Sequence, residues 1–129
     1  MIDPSVERLL EQAIDSLIKL QLLLLYYEDP RFEGTATQVA GRTYKDIWST
    51  REALRELAED GLLHASTAND PVYNYLPRPE YREPIFRLVQ CYNEPLEREQ
   101  LQRVLHDVAR NAPFRRAQQS GLSFDRLPI

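Results

Sequence analysis

Hydrophobic and polar positions alternate with a helical period over the first thirty residues. Apolar residues recur three or four positions apart between Leu9 and Ile18, and charged residues fill the positions between them. This spacing places the apolar side chains on one face of a helix, and Pro4 is typical of a helix start. We predict one long helix over residues 4–27. Residues 22–27 are apolar on all sides, so we expect them to be enclosed by their own domain or by a second copy of the chain.

Two further helical patterns follow. The second predicted helix spans residues 35–42. The third ends near residue 60 and has two competing starts. Asp46 can cap the helix at the next residue, or Ser49 can cap it with Glu52 three residues later, which would complete a capping box.

The third predicted helix has an apolar face that includes Leu54 and Leu57, and we expect both in the core. Gly61 follows its last turn and suits a left-handed C-terminal cap. Strand-forming residues then flank a turn at Asn69-Asp70-Pro71. This pattern predicts a two-stranded hairpin.

The C-terminal part predicts two more helices, over residues 80–92 and 96–111. The second of them carries an apolar stripe with a period of 3.6 residues, formed by Leu101, Val104, Leu105, Val108 and Ala112. From Pro113 onward the sequence has no period. We predict an irregular tail over residues 113–129, partly ordered against the body or a partner chain because it carries several apolar residues.

The middle of the chain resembles a known family. Ala40, Leu54, Leu57 and the run Gly61-Leu62-Leu63 stand where a winged helix-turn-helix domain keeps its packing residues, and Ala40 precedes Gly61 by the family's usual 21 residues (61 − 40 = 21). The chain is similar in this respect to MarR-type and related bacterial transcription regulators. The resemblance implies a mainly α winged helix-turn-helix fold, with a three-helix core, a two-stranded β-hairpin wing and added N- and C-terminal helices.

On this basis the chain is a single domain with four consecutive parts: an N-terminal helix over residues 1–30, a helix-turn-helix and wing over 31–77, C-terminal helices over 78–112 and an irregular tail over 113–129. Two positions depart from the family pattern. Tyr44 occupies the turn where the family usually has glycine, and Thr50 takes a place usually held by a branched apolar residue.

The resemblance also implies double-stranded DNA as a partner and transcription regulation as the function. If the third predicted helix enters a major groove, five basic or polar residues would contact DNA: Arg42, Lys45, Ser49, Arg51 and Arg55. Arg51 and Arg55 are four positions apart, so both can reach phosphates or guanine edges from one helix face. In MarR-type proteins helices from both ends of the chain form a dimer interface, so we also expect a homodimer.

The charge pattern opposes DNA binding. The chain has a net charge of −4, and the stretch from Asp46 to Asp60 has two basic and five acidic residues. The hairpin tip has no basic residue. Nucleic-acid binders usually show a basic stripe, so the alternative is a winged-helix protein–protein interaction module without DNA binding. Trp48 has two interpretations as well, a core residue, which the pattern favours, or an exposed anchor for a partner.

Composition excludes several other functions. The single cysteine, Cys91, rules out an internal disulfide framework, and we interpret it as a buried, inert thiol in a cytoplasmic protein. No apolar run is long enough to span a membrane, and the N-terminus has no secretory signal. The two histidines, His64 and His106, lack any zinc-ligand spacing, and no glycine-rich phosphate loop occurs. We therefore expect no enzyme activity, no metal and no cofactor.

Overall fold

The computed structural model describes residues 2–119, apart from the side chains of Arg115 and of residues 117–119. Within this range the chain forms six helices and three short strands: α1 (Pro4–Gln12), α2 (Leu17–Glu28), β1 (Glu33–Gly34), α3 (Ala36–Thr43), α4 (Ile47–Glu59), β2 (Leu63–Ala65), β3 (Tyr73–Tyr75), α5 (Pro79–Asn93) and α6 (Pro95–Gln119). The expected mainly helical fold with a small antiparallel sheet is confirmed at this level. No helix in the described range is long and apolar enough to cross a bilayer.

The N-terminal segment forms two helices, so the prediction of one long helix was wrong. The first ends where the backbone N–H groups of Ala13 and Ile14 both bond to the carbonyl of Leu9. The second begins at Leu17 after the N-cap residue Ser16, whose hydroxyl oxygen accepts a hydrogen bond from the backbone N–H of Lys19. Periodicity could not reveal this break, because the apolar residues Ala13 and Ile14 within it are buried like those of the helices.

The apolar second helix is enclosed by its own chain. Leu20, Leu22, Leu23 and Tyr26 are fully buried, and α2 packs against α4, α6 and β3. The apolar stripe of α6 also packs within one chain, since Leu101, Leu105 and Val108 are buried where α6 contacts α1 and α5. Burial within one chain removes the observation that pointed to a second copy.

Local capping defines the pair α3 and α4. Thr35 and Gln38 form a reciprocal capping box at the start of α3. For α4, the carboxylate of Asp46 accepts a hydrogen bond from the backbone N–H of Ser49 at 2.8 Å, so the helix begins at Ile47 and the start at Ser49 is not used. Gly61 has a φ of 89°, as the predicted left-handed cap requires.

The departure at Tyr44 has a defined geometry. This residue ends α3 in the left-handed region, with φ 56° and ψ 37°, and it is the one non-glycine residue with positive φ in the described range. Glycine adopts that conformation without steric cost, whereas a tyrosine is strained there. The turn therefore keeps the backbone shape that glycine favours, although the residue differs.

The sheet confirms the predicted hairpin and adds a strand. β2 and β3 are antiparallel, with Leu63 opposite Tyr75 and Ala65 opposite Tyr73. β1 pairs with the other edge of β3, giving the order β1-β3-β2. We predicted the segment of β1 as a plain connection, because a strand of two residues is too short to show a period.

The C-terminal helix is longer than predicted. α6 continues through Pro113 to Gln119, so an irregular tail beginning at residue 113 was wrong for residues 113–119. A single interior proline removes only one backbone donor. Arg116 forms ion pairs with Glu56 on α4 and with Asp60, the residue after α4, and these pairs hold the segment in place. The remaining residues of the predicted tail, including Leu122, Phe124 and Leu127, lie outside the described range.

The predicted core of α4 is confirmed. Leu54 and Leu57 are fully buried. Thr50, the second departure from the family pattern, is buried as well, and its hydroxyl has no hydrogen-bond partner among the described residues. A branched apolar residue would leave no such polar atom in the core.

Candidate nucleic-acid interface

Two exposed aromatic residues lie near the start of α4, one in the turn before the helix and one in its first turn. Tyr44 is 93% exposed and Trp48 is 74% exposed. The interpretation of Trp48 as a core residue was therefore wrong. Because Asp46 starts the helix at Ile47, it is Ile47 and Thr50 that turn toward the core, and Trp48 faces away from it.

Two of the five predicted DNA-binding residues are engaged in ion pairs. The guanidinium of Arg42 lies 3.4 Å from the carboxylate of Asp29 and 4.4 Å from the centre of the Phe32 ring. Arg55 contacts the carboxylate of Glu59 at 2.7 Å. Both arginines stay about half exposed, and exposed pairs of this kind contribute only about 0–1 kcal/mol each.

Two others carry charges with no acidic partner in the described range. Lys45 lies in the turn before α4, and Arg51 lies one turn beyond Trp48. The guanidinium of Arg51 is 5.6 Å from the centre of the Trp48 ring, which is within cation–π range. We call the group Tyr44, Lys45, Trp48 and Arg51 the aromatic–basic face.

The fifth predicted residue, Ser49, lies on another side of the helix. It is exposed, and it lines a groove between α2, α4 and α6 together with Glu52, Ala53 and Arg116. The groove has a volume of about 440 Å³. The structure therefore does not group Ser49 with Arg51 and Arg55.

A buried ion cluster behind α4 escaped the sequence analysis. Lys19 is almost fully buried and donates to the carboxylate of Asp15 at 2.6 Å and to that of Glu56. Arg116 donates to Asp15 through Nε at 2.8 Å and to Asp60 through Nη2 at 2.7 Å. Its Nε also lies 3.0 Å from the carboxylate of Glu56. We call these five residues the ion cluster.

The ion cluster shifts the titration of its members. Burial alone would raise the pKa of Asp15, but hydrogen bonds from Lys19 and Arg116 stabilise its charged form and lower the pKa. Burial would likewise lower the pKa of Arg116, whereas hydrogen bonds to Asp60 and Asp15 raise it. Asp15 and Arg116 therefore both stay charged around neutral pH.

One signal for this cluster was present in the sequence. Asp15 and Lys19 have the i, i+4 spacing of a helical ion pair. The other members were not recognisable. Glu56 is one of five acids between Asp46 and Asp60, with no local sign that it turns inward, and Arg116 fell in a segment that we predicted to be irregular.

The single cysteine behaves as expected. Cys91 is buried, and its thiol donates to the backbone carbonyl of Glu97 at 3.5 Å. Burial raises the pKa of this thiol. Since the thiolate is the reactive form, Cys91 is a poor nucleophile.

The aromatic–basic face presents an indole, a phenol, an ammonium and a guanidinium to solvent, in the turn between α3 and α4 and on the first turns of α4. Such groups can bind phosphates and base edges, and they can equally bind a protein surface. We find no protein-family model, no curated protein and no solved structure that matches the chain.

Proposed function

We propose that this chain is a winged helix-turn-helix transcription regulator of the MarR-like type, which binds double-stranded DNA through the aromatic–basic face of α4. The order of α2, α3, α4, β2 and β3 supports this fold, because three helices followed by a hairpin are the arrangement that the family resemblance implies. In this proposal α4 is the helix that enters the major groove, and β2 with β3 is the wing. The proposal entails a location in the cytoplasm, where such a regulator meets bacterial DNA.

The observation that carries the proposal is the direction of two acidic side chains at the end of α4. Glu56 and Asp60 point toward Lys19 and Arg116 and are only 15% and 19% exposed. These two acids therefore pair with cations behind the helix and do not face outward.

Of the remaining acids of this stretch, Glu59 is paired and two stay exposed beside the aromatic–basic face. Glu59 pairs with Arg55, whereas Asp46 caps the helix and keeps its negative charge at an exposed position. Glu52 is exposed and pairs with no basic side chain in the described range. The two cations Lys45 and Arg51 are likewise unpaired there. The net charge of −3 from Asp46 to Asp60 thus overstates the negative charge that DNA would meet, since only the docking face matters for steering.

The roles within this interface follow from chemistry. Arg51 can donate two parallel hydrogen bonds to a guanine edge or to a phosphate, and Lys45 can bind a phosphate as a point charge. Arg42 can exchange its weak, exposed pair with Asp29 for a phosphate. The hairpin tip has no basic residue, so we expect the wing to contribute little affinity.

A specific observation favours a second candidate, a winged-helix protein–protein interaction module. Trp48 and Tyr44 are highly exposed beside Arg51, and tryptophan, tyrosine and arginine are the residues most enriched in interface hot spots. In this case Trp48 would enter a pocket of the partner, and the cations would lie at the rim.

A polarisation titration with a generic DNA duplex at low and at physiological salt tests the proposal. We expect binding at low salt that weakens as salt rises. The double substitution Lys45→Ala with Arg51→Ala should weaken binding and flatten the logarithmic salt slope by roughly two, because each substitution removes one cation that neutralises a phosphate.

The matched control is Arg103→Ala, because Arg103 is an exposed arginine on α6, far along the chain from the aromatic–basic face. It should leave the salt slope unchanged. Absence of low-salt binding by the intact chain would rule out the DNA function and leave the protein-interaction module, since even non-specific DNA binders associate under those conditions.

A further inference from the structure

The end of α6 is fastened to the back of α4 by one side chain. Arg116 is 19% exposed and contacts three carboxylates: Asp15 between α1 and α2, Glu56 on α4, and Asp60 at the end of α4. The contacts with Asp15 and Asp60 span 101 and 56 residues of sequence. Charged hydrogen bonds of this length are the strong class, and partial burial protects them from screening by salt.

The point at which this segment can bend lies three residues before Arg116. Pro113 is inside α6 and has no backbone N–H to donate to the preceding turn. Ala109, Ala112 and Pro113 line the groove beside the ion cluster. Small side chains and a missing backbone bond make this turn the weakest part of the helix, and interior prolines are the usual sites of helix kinks.

The charge balance of the ion cluster depends on Arg116. Lys19 and Arg116 contribute two positive charges against the three carboxylates of Asp15, Glu56 and Asp60. If Arg116 leaves, Lys19 still contacts Asp15 and Glu56, and Arg55 stays 3.7 Å from the carboxylate of Glu56, whereas Asp60 keeps no cationic partner among the described residues. Asp60 would then be left uncompensated next to the end of α4, and Glu56 would lose one of its three cationic neighbours.

We infer that residues 113–119 of α6 form a latch, hinged at Pro113 and closed by Arg116, that holds α4 and neutralises the acids behind its DNA-facing side. With the latch closed, α4 is braced and its outer face is available to an anionic partner. With the latch open, α4 loses its contacts with Arg116, and the acids behind it are less well compensated. The effect on duplex binding rests on the function proposed above, whereas the bracing of α4 does not.

Amide hydrogen exchange followed by mass spectrometry on the intact chain tests the bracing. We expect Arg116→Gln to accelerate exchange of residues 113–119 by roughly tenfold or more, because it breaks several buried charge contacts. Exchange of residues 47–59 should also rise, by roughly threefold, while α5 stays protected.

The matched control is Arg103→Gln, which removes the same charge from the same helix at an exposed pair with Glu99. It should leave both segments unchanged. Equal exchange in the two variants would overturn the latch. Faster exchange in residues 113–119 without any change in α4 would overturn the proposal that this segment braces α4.

A milder variant covers the case in which Arg116→Gln unfolds the whole chain. Asp60→Asn removes one of the three carboxylates and leaves Asp15 and Glu56 with Arg116. It should give a smaller acceleration of the same two segments, and no acceleration there would overturn the latch.

The effect on duplex binding is measured separately by polarisation at low salt. We expect Arg116→Gln to weaken binding about two- to fourfold relative to Arg103→Gln. A change of this size is expected when one uncompensated negative charge repels DNA through solvent over roughly 10 Å. If the intact chain binds no duplex, the proposed function fails, and hydrogen exchange still decides whether the latch exists.

Discussion

The hydroxyl of Tyr26 on α2 donates a 2.9 Å hydrogen bond to the backbone carbonyl of Tyr73 on β3. Tyr26 is fully buried, and its ring lies 5.4 Å from that of Phe32 and 6.3 Å from that of Tyr75. Since β3 is the middle strand of the sheet, this hydrogen bond and the Tyr26–Tyr75 ring contact join the sheet to α2.

Tyr26→Phe tests the value of that bond. The substitution keeps the ring and leaves the carbonyl of Tyr73 without this donor in a buried place. We expect a loss of about 1–3 kcal/mol in the free energy of unfolding, measured by urea denaturation. Tyr44→Phe removes the same hydroxyl from a side chain that is 93% exposed, so it should change stability by less than about 0.5 kcal/mol. Equal effects of the two variants would contradict the role of the bond.

The buried Tyr26 and the half-buried Tyr75 also predict an alkaline limit to stability. Burial raises the pKa of Tyr75 to about 12, and it raises the pKa of Tyr26 as well. Because both are raised above the unfolded value of about 10, the unfolded chain loses these protons first, and stability falls as pH rises above about 10. Below that pH the contribution is complete. Unfolding free energies measured between about pH 8 and 12 should show this decline, and Tyr75→Phe should make it shallower. A pH-independent stability over that range would contradict the assignment.

Thr50→Val should stabilise the protein. The hydroxyl of Thr50 is buried and has no partner in the described range, so replacing it with a methyl group removes a desolvation cost and keeps the side-chain shape. We expect a gain of about 1 kcal/mol in thermal or urea denaturation.

Thr43→Val is the comparison for that change. The hydroxyl of Thr43 donates to the carbonyl of Val39 at 3.0 Å, so its loss should be neutral or unfavourable. A destabilised Thr50→Val variant would indicate that the hydroxyl has a partner after all.

Tyr44→Gly should also stabilise the protein. Its left-handed backbone conformation costs a non-glycine residue about 1–2 kcal/mol, and part of that gain is offset by the larger entropy of glycine in the unfolded chain. The expected net effect is a gain of about 0.5–1 kcal/mol in urea denaturation. Lys45→Gly, at a neighbouring position without positive φ, should lower stability instead.

A homodimer is the remaining prediction from the family resemblance. The apolar residues that first suggested it are buried within one chain, and the large apolar side chains that stay exposed on α2 and α6 include Leu17 and Phe114. Light scattering at micromolar concentration should give a mass near twice 15.1 kDa. If two copies meet through these helices, Leu17→Glu with Phe114→Glu should halve the mass, and Leu76→Glu, on another exposed leucine, should not. A monomer mass for the intact chain would remove the dimer.

The sequence predicted those elements whose signals are local. Leu54 and Leu57 were correctly assigned to the core because helical period alone determines the buried face of α4. The helix end at Gly61 was correct because one residue type suits one backbone conformation. The hairpin followed from its turn residues and its strand-forming flanks.

The features that the sequence did not predict depend on distant contacts. Asp15 lies in the break between α1 and α2 and bonds to Arg116, which is 101 positions further along the chain. The candidate site shows the same limit. Exposure of Arg51 was predicted from its helix position, whereas the inward direction of Glu56 depends on Lys19, 37 positions away. No local pattern contains such pairings, so the electrostatic character of α4 could not be determined from its own sequence.

The buried thiol of Cys91 makes the natural chain convenient for labelling. It is the one cysteine of the sequence, and its burial and raised pKa slow its reaction with maleimides. A second cysteine introduced at an exposed position of the hairpin tip, such as Thr67, would therefore take up a dye selectively without removal of Cys91. A fluorophore at that position would report directly whether the wing approaches a bound duplex.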